Sequence, residues 1–149
     1  MTQVNFEVLG ERQVSQMLSR TTDKAADLGP YWLMVQGLLS QVIGEQFDSA
    51  GGRTGGWAPL SERYVADKVR RFGSQPILVA TGALRESLMG GSGQISRQEG
   101  NETLRFGTSL GYGVFHQTGT RNMPQRRILD LTNDDRRTMM KMLQRHLFT

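Results

Sequence analysis

Only two histidines, His116 and His146, and no cysteine stand in a chain of 149 residues. A thiolate nucleophile, a thiolate metal site and a disulfide framework are therefore excluded, and a serine triad would need one of the two histidines as its base. No nucleophile-elbow motif accompanies them. His146 lies near the end of a predicted helix, where a cation suits the dipole. His116 has Tyr112 one helical turn before it, the setting of a packed or interface histidine rather than a catalyst. Glu45 and Asp48 share a helix face at i and i+3 and could hold a cation or exchange protons, although the same pair serves equally as a solvated helix end. Gly51 to Gly56 has the glycine spacing that opens a phosphate-binding loop, but Trp57 and Ala58 occupy the places of the required lysine and hydroxyl. Gly111 and Gly113 begin a dinucleotide-like pattern, yet Phe115 and His116 follow and the third glycine is missing. The expectation is a protein that is not an enzyme and that uses no metal and no cofactor.

The elements that position these residues read as a single α+β domain. Gln3 to Leu9 alternates Val4, Phe6 and Val8 with polar residues, the period of a half-buried strand. Val14, Met17 and Leu18 then mark a short helix expected to stop between Ser19 and Asp23. Trp32, Val35, Leu39, Val42 or Ile43, and Phe47 recur at three to four residues, so a long helix is predicted from about Asp27 to Asp48, with Pro30 near its start. Gly37 and Gly44 weaken it slightly or admit another backbone. The stretch Gly51 to Gly56 separates residues 1–50 from residues 57–149 and reads as a mobile or ligand-shaped loop that orders on assembly.

Ser61 caps a helix running to about Arg71, with Tyr64, Val65, Val69 and Phe72 inward. Thr81 is the cap expected for a short helix through Leu88. Gln94 to Gln98 and Thr103 to Gly107 flank a polar turn and predict a hairpin whose buried side carries Ile95, Leu104 and Phe106. Thr132 and Asp135 imitate a capping box before a C-terminal helix with Met139, Met142, Leu143 and Leu147 on one side. The antiparallel sheet is expected to pack against the long helix and this C-terminal helix.

Charge divides along the chain. Residues 1–52 carry a net −3 and residues 53–149 a net +7, with 15 arginines among the 18 basic residues of the whole. Arginine suits bidentate pairing with carboxylate or phosphate, so the asymmetry fits a solvated face, pairing between subunits, or a small basic nucleic-acid-binding module using Arg63, Arg70 and Arg71. The longest apolar run, Tyr31 to Val35, is far short of the roughly 20 residues of a membrane span, and the polar start lacks a signal peptide's blocks. Synthesis in the cytosol and no membrane partner are expected.

Four segments stand in a fixed order: Gly56-Trp57-Ala58-Pro59-Leu60-Ser61, Leu78 to Leu88 with Thr81-Gly82-x-Leu84-x-x-Ser87, Tyr112-x-x-x-His116-Gln117-x-Gly119, and Pro124-x-Arg126 within Met123 to Leu129. From about Gly55 to the C-terminus this arrangement resembles the tailed-phage virion morphogenesis family, the tail completion and neck proteins of the Mu G and P2 S type and, more distantly, the HK97 neck proteins. The pattern departs at its last motif, where Arg126, Arg127, Ile128, Leu129 and Asp130 stand for the usual arginine, proline, phenylalanine, leucine and glycine, so that Arg127, Ile128 and Asp130 differ and the turn into the last helix is left open.

The resemblance implies a structural virion subunit at the head-to-tail junction, assembled as a ring of six of its own copies, beside connector, tail terminator or tail tube proteins. Trp57, Pro59, Leu60, Tyr112, His116, Arg126 and Arg127 are then the residues expected at subunit interfaces, with Trp57 either anchoring a neighbour or covering its own core. Arg121, Arg126 and Arg127 could face the channel and touch passing DNA without reading its bases, or pair with a neighbour's acidic face.

Overall fold

The computed structural model describes residues 11–149. The strand expected over Gln3 to Leu9 lies outside the described residues. Helix α1, Glu11–Ala26, runs past its predicted stop because the hydroxyls of Thr21 and Thr22 donate back to the carbonyls of Met17 and Leu18, each at 2.9 Å. Such back-bonding lets a threonine pair sit inside a helix without an unsatisfied hydroxyl. Helix α2, Gly29–Asp48, has Pro30 in its first turn and buries Tyr31, Val35, Val42, Ile43 and Phe47.

The glycine-rich stretch is folded rather than open. It forms a single 3₁₀ turn, Gly52–Thr54, closed by bonds from Gly56 N to Gly51 O and from Trp57 N to Ala50 O, both 2.8 Å. Gly51 has φ 82° and lies beneath the Trp57 indole, where a Cβ would come within 2.4 Å of Cδ1. Arg53, within the turn, bridges Glu45 at 2.9 Å and Asp135 at 2.7 Å, which ties the turn to α2 and to the C-terminal helix.

Helix α3, Glu62–Phe72, begins at Ser61, whose Oγ accepts from Tyr64 N at 3.4 Å. Helix α4, Ala83–Leu88, is entered through Gly82 at φ 85°, and Thr81 sits one residue further out, accepting from Ala83 N at 3.4 Å. Strands β1, Gln94–Glu99, and β2, Thr103–Thr108, pair antiparallel. Ile95 faces away from the core, contrary to expectation. It stands opposite Gly107, whereas Phe106 stands opposite Ser96 and Leu104 opposite Gln98, so the two-residue period puts Ile95 on the other face. Helix α5, Gly113–Thr118, and helix α6, Asn133–Phe148, complete the chain. The capping box of α6 is present, with Thr132 and Asp135 bonded reciprocally.

The architecture is α+β, as the patterning predicts. The hairpin rests on α4 and α2, and α6 lies along α1 and α2. One core joins α2, α4 and the hairpin, built from Ile43, Phe47, Trp57, Leu84, Leu88 and Ile128, with Phe106, Leu110 and Leu129 packed around it.

Candidate functional site

The four sequence segments meet as joints of the fold. Trp57 is buried at 9% exposure, stands edge-on to Phe47 with ring centroids 5.6 Å apart, and donates its Nε1–H to Arg127 O at 2.8 Å. Of its two readings, covering its own core is the one realised; it is not exposed at the loop end. Arg126 is 4% exposed, and its guanidinium donates to Ala58 O at 2.8 Å and Pro59 O at 3.0 Å while its backbone N–H reaches His116 O. Nε, Nη2 and the backbone N–H are thus bonded within the chain.

Sequence reasoning missed the polar side chains that hold these joints. Gln117 Oε1 accepts from the N–H groups of Ile128 and Leu129, both at 3.0 Å, and Nε2 donates to Leu129 O at 2.7 Å. Fully buried Gln46 donates to Thr54 Oγ1 and Arg127 O, and Ser87 pairs with Thr108 Oγ1 at 2.7 Å. The signal available was a Gln or Ser within an otherwise apolar motif, since buried polar groups are kept only when bonded.

Glu45 and Asp48 do not form a carboxylate pair. Glu45 is taken by Arg53, and Asp48 meets Arg85 at 2.8 Å, so each works as a cross-element ion pair. His146 Nε2 lies 3.0 Å from Lys24 O and 2.9 Å from Asp27 O, where it closes the C-terminal end of α1 rather than its own helix. Among the described residues no group of three or more His, Asp or Glu converges on a metal position. No helix among them is long and apolar enough to cross a membrane.

Five of the expected interface residues, Pro59, Leu60, Tyr112, His116 and Arg126, line one groove of about 760 Å³ between α3 and the body. Leu78 to Leu84 form its floor, and Leu78 holds φ 62°, a left-handed conformation that costs a branched residue roughly 1–2 kcal/mol. His116 stands edge-on to Tyr112 at 6.4 Å, and its buried Nδ1 has no partner. Burial first, and the Arg126 charge second, push its pKa below the ordinary 6.5, so the ring is neutral at pH 7. Among the described residues no carboxylate lines the groove, and its charged members are Lys68 and Arg126. Arg121 and Arg127 are exposed outside it, with Arg127 3.9 Å from Asp130.

Helix α3 departs most from expectation. Tyr64, Val65, Val69 and Phe72 are 41–50% exposed, and the buried residue of the helix is Lys68, at 4%. Lys68 sits in the middle of the apolar stripe, and its Nζ donates to the carbonyls of Gln75, at 3.2 Å, and Pro76. A buried ammonium must keep such partners. Among the described residues the helix makes no substantial packing contact with another helix or strand. On its outer side Arg70 and Arg71 both bridge Asp67, which engages two of the three arginines expected to bind nucleic acid.

No curated protein and no solved structure matches the chain. The model of the phage virion morphogenesis family matches residues 9–148, almost the full length, and so includes residues 9–50, in which no motif was recognised. The chain belongs to the phage virion morphogenesis family.

Proposed function

We propose that this protein is a structural subunit of the junction between phage head and tail, a tail completion or neck protein of the Mu G and P2 S type, working as a ring of six copies. It touches connector, tail terminator or tail tube proteins on either side and carries no reacting centre. The observation that supports this reading is apolar surface without cover. Among the described residues nine hydrophobic side chains are buried, while sixteen large ones stay at least 36% exposed. Clustered apolar side chains such as Tyr64, Val65, Val69 and Phe72 on α3 are the kind of surface that marks interaction sites in soluble proteins.

A ring requires two different surfaces that fit each other, because head-to-tail contacts close into a cycle only when they are complementary. The division of charge between residues 1–52 and 53–149 supplies one basis for the fit. Arg121 and Arg127 are exposed and outside the groove, and in this reading they meet DNA in the channel through phosphate contacts alone.

Electron microscopy of particles made without the protein tests the reading. Heads and tails that fail to join are expected, with finished tails assigning a neck role and tails of uncontrolled length a terminator role. Joined, infectious particles in its absence would overturn it.

A further inference from the structure

Among the described residues two cations are buried, Lys68 and Arg126, each 4% exposed, and both line the groove between α3 and the body. Lys68 gives two of its three ammonium protons to the carbonyls of Gln75 and Pro76, and Arg126 gives two of its five guanidinium protons to those of Ala58 and Pro59. Neither meets a carboxylate among the described residues. Arg53 shows how the same chain treats a cation it draws inward, since Glu45 at 2.9 Å and Asp135 at 2.7 Å neutralise it. A charge taken out of water is ordinarily paired in that way. Burial accordingly lowers the pKa of Lys68 and of Arg126, whereas Asp135 holds that of Arg53 up. His116 lines the groove too, and its buried Nδ1 also lacks a partner, although buried polar atoms are kept only when bonded.

Size and lining say what would carry the missing anion. A groove of about 760 Å³ is far larger than one inorganic ion fills, and Pro59, Leu60, Leu78, Val79, Leu84 and Met123 give it apolar walls. The anion therefore arrives on an apolar body. Tyr64 and Tyr112 line the groove yet are 50% and 46% exposed, so the apolar surface continues over its rim. A small acid would leave that rim bare; a stretch of polypeptide would cover it.

We infer that the groove takes a peptide segment of a partner protein in which one aspartate or glutamate stands between large apolar side chains. Its carboxylate supplies the counter-charge that Lys68 and Arg126 lack, and its apolar neighbours meet the walls. The inference rests on the assembly reading above only for the partner being a virion protein, and the contact itself needs no ring.

Acetylated and amidated peptides with a glutamate, a glutamine or a lysine between leucine pairs are titrated into the protein, and the ring signals of His116 and His146 are followed by NMR. The glutamate peptide is expected to move His116 and leave His146 in place, with a Kd at least tenfold below that of the glutamine peptide, while the lysine peptide does nothing. Lys68→Met should remove the preference for glutamate, with melting unchanged or raised because Gln75 and Pro76 are exposed and water can serve their carbonyls. Arg136→Ala, exposed on α6, should keep it. The glutamate-to-glutamine ratio on the wild type decides the matter even if Lys68→Met does not fold. Equal binding of those two peptides overturns the inference, as does displacement by inorganic phosphate at the same concentration, or a His116 signal that stays still at millimolar glutamate peptide. Such results leave the ring reading intact; that reading fails separately, when joined particles form without the protein.

Discussion

Trp57 and α3 are neighbours in sequence, yet one end of this stretch is sealed and the other stands open. At the sealed end an indole lies on a glycine backbone, touches Phe47 and gives its N–H to Arg127 O. At the open end four large apolar side chains are left in solvent, and the buried residue at their centre is a lysine. Both ends have the residue types that ordinarily make a core. What separates them is where the polar atom goes: the indole N–H finds a carbonyl inside the core, whereas the ammonium finds its carbonyls on a peripheral loop.

This contrast can be broken by substitution. The largest effect is expected from Trp57→Ala, which removes a buried ring and leaves Arg127 O with only its Gln46 bond. A loss of about 3–5 kcal/mol should appear in urea or guanidinium unfolding. Gln117→Ala strands the N–H groups of Ile128 and Leu129, and about 1–3 kcal/mol is expected by the same measurement.

Acid titration sharpens the contrast further. Burial tends to raise the pKa of Asp135, but the bonds from Arg53 and Thr132 outweigh it and hold the carboxyl below the ordinary 3.8. A depressed folded pKa means that its stabilisation is intact above the unfolded value and disappears as pH falls through the depressed one. Melting temperature should therefore drop in the range below about pH 4, and Asp135→Asn should flatten that drop. His116 also has a depressed pKa, so its contribution is complete above 6.5 and declines as pH falls below it, sooner than at the sealed end. A melting temperature that does not change between pH 7 and 5 would remove His116 from this account.

The smallest effect belongs to Val69→Ser. At an exposed position outside the core, its unfolding free energy should stay within about 0.5 kcal/mol of the wild type. A loss above 2 kcal/mol would mean that α3 is packed after all.

Much of the architecture was legible. The 3.6-residue period located α2 to within two residues at its start, the Ser61 and Thr132 caps located two helix starts, and the polar turn at Glu99 to Glu102 located the hairpin. These are local signals, fixed by spacing and by one side chain's bond to its own backbone. Most of the errors arose where a residue's partner is distant in sequence, the end of α1 being a local exception. The end of α1 depends on hydroxyls bonding back one turn, and the face of Ile95 depends on register. The folding of the glycine stretch depends on Arg53 reaching Asp135, 82 residues away. Pro59, Leu60, Tyr112, His116 and Arg126 were named together from the sequence and do meet in space, but that they line a groove could not be read without Lys68 and its loop carbonyls.

Gln117 makes the fold exacting about one letter of its alphabet. Its carboxamide takes in two amide protons and gives one back, all to a single bend of backbone. Glutamate, nearly the same size, has no proton to return at neutral pH, and asparagine is one methylene too short for the same reach. A glutamine directly after a histidine and two places before a glycine is thus a spelling that chemistry, and not ancestry alone, would preserve in remote kin.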